Sequence, residues 1–209
     1  MTRRYVAIIT LSALMFGTAA VAADVAVKSG IVKGTVTIAG KPTSDVVVSI
    51  EGVAPASYKA QLAAMKSKKL AMDQKDQQFS PHVLAVVIGG TVEFPNRDRV
   101  WHNVYSQGGA KSFDLGLYPP GQSRNVTFNN SGVARILCNV HPSMEAFIVV
   151  KEHPFFSTAD KGGNYRIDGI PLGNYRVTVW HPELGITEAG VELVRDGQVS
   201  DINFDLKKK

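Results

Sequence analysis

A two-residue alternation of apolar and other side chains, broken by glycine- and proline-rich turns, recurs along this chain and constrains its fold more than any other feature. Val32, Gly34, Val36 and Ile38 alternate with Lys33, Thr35 and Thr37, and Val46, Val48 and Ile50 share one face. The same period returns at Val83, Ala85 and Val87, at Ala134, Ile136 and Cys138, and in residues 164–167, 175–179 and 202–206. Such spacing predicts strands with one face buried. The unbroken apolar run 146–150 predicts a strand buried on both faces. Turns are predicted at Ala39-Gly40-Lys41-Pro42, Gly89-Gly90, Pro119-Pro120-Gly121-Gln122 and 170–174. Many short strands between turns make an all-β sandwich or barrel. One stretch departs from this pattern. Residues 54–75 are rich in Ala, Lys, Gln, Leu and Met and lack glycine, which predicts a short helical linker with a weak apolar stripe.

The first residues carry a different signal. Arg3 and Arg4 precede a mostly apolar stretch from Tyr5 to Phe16, and small residues follow through Ala22 and Ala23. This is the plan of a secretory signal peptide over residues 1–23, cleaved after Ala22 or Ala23, and it predicts export to the periplasm. The apolar run is short for a bilayer span of about 20 residues, so no stable membrane span is expected after cleavage. The chain has 23 basic and 18 acidic residues. Without Arg3 and Arg4 the excess is about +3, too small to argue for nucleic acid. No nucleotide loop, Gly-x-Ser-x-Gly turn or paired-cysteine zinc pattern is present. The only cysteine is Cys138. In an exported protein a lone thiol is a buried residue, half of an intermolecular bridge, or a metal ligand.

Its neighbours favour the last. In Leu137-Cys138-Asn139-Val140-His141-Pro142-Ser143-Met144-Glu145 a thiolate, an imidazole and a thioether follow at intervals of three. These are soft or borderline ligands, and together they suit copper cycling between Cu(I) and Cu(II). Flanking strands make the segment a loop, which Pro142 stiffens. A trigonal site needs one more nitrogen, and His102 in Trp101-His102-Asn103-Val104 is the best candidate. His82 reads as structural or exposed, with an extra ligand as the alternative. His153 reads as a solvated loop residue, His181 as no ligand, and Trp101 by default as core.

Residues 83–150 resemble the cupredoxins, the plastocyanin-, azurin- and amicyanin-like blue copper family. The resemblance rests on Gly90-Thr91-Val92-Glu93-Phe94-x-Asn96, His102-Asn103, Tyr118-x-Pro120-Gly121 and Cys138-x2-His141-x2-Met144. It implies a Greek-key sandwich holding one type 1 copper ion, with His102, Cys138 and His141 as equatorial ligands and Met144 as the long axial one. It also implies that Asn103 hydrogen-bonds the ligand loop. The flanks resemble a carboxypeptidase regulatory-like domain, a transthyretin-like sandwich, in Gly30-x-Val32-x-Gly34-x-Val36-x4-Lys41-Pro42 and in the Asn164-Tyr165-Arg166-Ile167 to Val177 segment. The expected organisation is a cupredoxin domain (76–152) and helical linker (54–75) inserted into a second small β-sandwich made of 24–53 and 156–209. A closed ligand set has no open position for a substrate, so electron transfer is expected rather than catalysis. The partner would be a redox protein such as a c-type cytochrome or a dehydrogenase. The rival expectations are a copper chaperone or storage protein, a small copper enzyme with an open position, and a metal-free interaction module.

Overall fold

A computed structural model describes residues 27–207; the expected signal peptide lies outside the described residues. The strands are β1 (Ser29–Ile38), β2 (Lys41–Pro42), β3 (Val47–Glu51), β4 (Leu70–Ala71), β5 (Asp73–Lys75), β6 (Gln78–Ser80), β7 (Val83–Val87), β8 (Gly90–Pro95), β9 (His102–Ser106) and β10 (Phe113–Tyr118). They continue as β11 (Ser123–Phe128), β12 (Gly132–Leu137), β13 (Glu145–Lys151), β14 (Phe156–Thr158), β15 (Asn164–Pro171), β16 (Gly173–His181), β17 (Gly185–Leu193), β18 (Val199–Asp201) and β19 (Phe204–Leu206). The protein is all-β, with one α-helix, α1 (Lys59–Lys66), among the described residues.

Alternation along the strands sorts most side chains into four stacked sheets, and β5 and β6 pair antiparallel as a separate two-stranded hairpin. In the outermost sheet β1 is central, paired with β15, β18, β19 and β2. The next sheet has the order β14-β3-β16-β17, and Val48, Ile50, Val177 and Val179 face Val32, Val36, Tyr165 and Ile167 across one core. The third sheet is β10-β9-β12-β13-β7, and the fourth is β11-β8-β4. Val104, Ile136, Ile148 and Val150 meet Val92, Phe94, Val126 and Phe128 between them in a second core. β1 thus pairs with strands that follow residue 158, while the second core is built from residues 72–150.

The two middle sheets bury their remaining faces against each other. Odd-numbered residues of β13 and β7 do this: Phe147 and Val149, with Val83 and Ala85, pack with Val47, Phe156 and Trp180. The run 146–150 is therefore covered on both sides. At the margin of this junction Glu51 accepts hydrogen bonds from Lys151 Nζ, Ser49 Oγ, Thr178 Oγ1 and His153 Nε2. His153 is buried and stacks on Phe155. It is not the solvated loop residue the sequence suggested, because its ring packs on Phe155 and Tyr58 and its Nε2 bonds Glu51.

Gly34 shows why the glycines of the first strand are needed. A Cβ there would sit 1.9 Å from the Ile202 carbonyl oxygen. Ile202 donates its N–H to Lys33 O at 2.8 Å, so the crossing chain lies directly on the backbone of β1.

The stretch 54–75 differs from expectation. A 3-10 turn covers Pro55–Ser57 and α1 ends at Lys66, while residues after it form β4 and β5. No residue of α1 is buried, in keeping with its weak stripe. Met72 is fully buried and donates its N–H to Glu93 O at 2.9 Å, and β4 runs parallel to β8. An available strand edge and a place in the core outweigh the helix propensity of these residues. Among the described residues no helix is long and apolar enough to cross a membrane.

Candidate metal centre

The site lies at one end of the third sheet, where two adjacent strands deliver its side chains. β12 and β13 pair antiparallel up to Leu137 and Glu145, so residues 138–144 form the loop that joins them. Met144 N donates to His141 O at 2.9 Å and tightens that loop. β9 lies on the other side of β12, with Leu137 opposite Tyr105. Asn103 then fastens loop to strand: its Oδ1 accepts from Asn139 N at 3.3 Å, and its Nδ2 donates to Asp114 Oδ1 on β10 at 2.7 Å. Cys138 and His141 are thereby folded back over His102, the first residue of β9.

Three donor atoms converge. Cys138 Sγ is 3.9 Å from His102 Nδ1 and 3.9 Å from His141 Nδ1, and the two Nδ1 atoms are 3.1 Å apart. A triangle with these sides has its centre about 2.1 Å from every corner, which is the length of a metal–imidazole bond and slightly under that of a metal–thiolate bond. Lone pairs brought this close repel unless a proton or a cation lies between them, so the donor set fits a metal ion. Among the described residues no other such group of histidine, cysteine and carboxylate side chains occurs.

Burial differs around the triangle. His102 and Cys138 are buried, whereas His141 is half-buried between exposed Val140 and exposed Pro142. Met144 is buried in the same core cluster as Cys138. His82 is elsewhere: its Nδ1 lies 3.0 Å from Asp45 Oδ2 and its ring meets Phe147 at the junction of the sandwiches. His181 is also outside the site, and burial pushes its pKa down. Trp101, next to His102, is about half exposed, not core, and Val100, Leu117 and Val140 are exposed as well.

The loop before β9 contributes a residue that the sequence reading did not single out. Asp98 Oδ2 lies 3.0 Å from His102 Nε2, on the side of the ring away from the triangle. The same oxygen accepts from Gln77 N at 2.8 Å, and Oδ1 accepts from Arg99 N at 2.7 Å. The Gln77 N–H, ahead of the His102 and Arg99 contacts and against the cost of burial, lowers the Asp98 pKa to about 2. Asn96 holds this loop through Nδ2 bonds to Val100 O and Tyr118 O and an Oδ1 bond from Asp98 N. Tyr118, whose hydroxyl donates to Phe94 O, is pushed up to about 12 by burial. The only sequence signal for Asp98 was an acidic residue four positions before a candidate ligand, in Pro95-Asn96-Arg97-Asp98.

No protein-family model and no curated protein matches the chain. Solved structures do resemble part of it. They include a Cu-containing nitrite reductase from Thermus scotoductus SA-01, at 26% identity and TM-score 0.39, covering 41% of this chain. The match spans only 23% of the reductase chain. A purple cupredoxin from Nitrosopumilus maritimus matches at 23% identity and TM-score 0.37, covering 40% of this chain and 100% of its own. A reduced tryptophan-to-tyrosine mutant of amicyanin matches at 23% identity and TM-score 0.38, covering 50% and 98%. These likenesses cover half of the chain or less.

Proposed function

We propose that this is an exported, mononuclear copper protein that carries single electrons and is not itself an enzyme. The observation that supports the reading most directly is the His102–Cys138–His141 triangle, with a centre at metal-bond distance from all three atoms. Two imidazoles and a thiolate in a trigonal set, with a weak thioether beside them, suit copper in an electron-transfer role. In this reading His102, Cys138 and His141 hold the ion and Met144 is the long axial ligand. The bound ion supplies a one-electron Cu(I)/Cu(II) couple. The protein holds the ligands by packing and by the Asn103 and Asp98 hydrogen bonds, so their positions need not change when the charge does. Half-buried His141 is the one donor that reaches the surface, and exposed Val140, Leu117 and Trp101 give that end an apolar docking face for a redox partner such as a c-type cytochrome or a dehydrogenase.

Titration of purified protein with Cu(II) tests this. Uptake of one equivalent with an intense visible thiolate band is expected, followed by repeated reduction and oxidation without loss of metal. Cys138→Ser should abolish the band, and Met144→Leu should keep it while changing the potential. Absence of stoichiometric uptake would refute copper binding. Release to a metal-free acceptor on reduction would show a chaperone instead.

A further inference from the structure

We propose that Asp98 is a positioning residue that presets His102 as a ligand, holding the ring proton on Nε2 so that a bare Nδ1 faces Cys138 and His141. The inference rests on the copper reading above and adds to it a reason why the two histidines are not equivalent.

An ionised carboxylate can only accept hydrogen bonds. The ring nitrogen 3.0 Å from Asp98 Oδ2 must therefore be the one that carries hydrogen. His102 is fully buried, so water does not compete for either nitrogen. The carboxylate cannot swing away, because Gln77 N, Arg99 N and the Asn96 bond to its own backbone fix it from three directions. Nor is its charge neutralised by a neighbouring cation: Arg97 turns to Asp73 at 3.0 Å, and among the described residues no lysine or arginine pairs with Asp98. Among the described residues His141 has no comparable partner, since its ring contacts are with Cys138 and His102. The buried histidine is thus preset and the surface one is free to adjust. An unneutralised carboxylate one ring away also favours the more positive state of a bound ion, so it should lower the reduction potential.

The test uses the full-length exported protein with Asp98→Asn, which keeps an acceptor but loses the charge, and Asp98→Ala, which loses both. Nitrogen-15 NMR of the wild-type protein without metal should show His102 protonated on Nε2. The Asn variant should keep that tautomer and the Ala variant should mix the two. Loss of such a supporting carboxylate should cost roughly 10-fold to 100-fold in Cu(II) affinity, measured by chelator competition. Cu(I) affinity should fall less, and a tenfold difference between the two states raises the potential by about 59 mV. A wild-type His102 protonated on Nδ1 overturns the proposal even if the variants fail to fold. So does folded Asp98→Asn and Asp98→Ala protein with Cu(II) affinity within twofold of wild type and an unchanged potential. If wild-type protein takes up no copper, the copper reading fails, while the tautomer measurement still decides the role of Asp98.

Discussion

Truncating each histidine of the triangle should separate a structural ligand from a surface one. His102 is fully buried, and its removal strips Asp98 Oδ2 of a charge-assisted hydrogen bond. Such a bond is worth about 1.5–3 kcal/mol, and the cavity left by a buried ring adds about 2 kcal/mol. His102→Ala should therefore destabilise the metal-free protein by about 4 kcal/mol, which for a chain of this size lowers the unfolding temperature by about 12 °C. His141 is half-buried beside exposed Val140, and water can take its place, so His141→Ala should cost about 1 kcal/mol and about 3 °C. Thermal unfolding followed by circular dichroism measures both. Copper loading then supplies a second readout. Added imidazole can enter the surface gap in His141→Ala and restore the visible band, but it has no route to the gap in His102→Ala. Equal thermal losses, or rescue of His102→Ala by imidazole, would refute the assignment of inner and outer ligand.

Two further predictions concern the scaffold. Gly34→Ala places a methyl group 1.9 Å from the Ile202 carbonyl oxygen and must push the crossing chain off β1, so a loss of about 3 kcal/mol is expected in urea unfolding; a change under 1 kcal/mol would show that the crossing yields easily. Glu51 is held well below the ordinary carboxylate range, first by the His153 hydrogen bond and also by Lys151 and Ser49, against the opposing effect of burial. A depressed carboxylate adds stability that is present above its unfolded pKa and is lost as pH falls through and below it, so the junction should weaken below about pH 4. Glu51→Gln should lower stability at neutral pH and flatten its decline in acid, and parallel pH profiles for the two proteins would contradict the linkage.

Legibility in the sequence followed the range of the forces involved. Cys138, His141 and Met144 share one short loop, so their proximity could be read from spacing alone. His102 lies 36 residues from Cys138 and was picked out by its place between strands; what brings it within 3.9 Å is the pairing of β9 with β12. Asp98 was hidden, because its role depends on a loop folded by Asn96 and on the Gln77 N–H of a separate hairpin. Burial was also misread where it depended on a distant surface. His153 is covered by Tyr58 and Phe155 and bonded to Glu51, which its own sequence neighbourhood does not announce, and Trp101 is bared beside His102.

The sequence by itself determined the strand character of the chain, because side chains that alternate in solubility can bury one face only if the backbone is extended. It also determined which loop could carry soft donors. The tertiary structure decided which strands became neighbours, that residues 70–75 would abandon helix for a sheet edge, and which nitrogen of His102 faces the thiol. Alternation acts between residues two apart and is written in the chain. Pairing, burial and ring orientation are settled by surfaces that meet only once the layers have stacked.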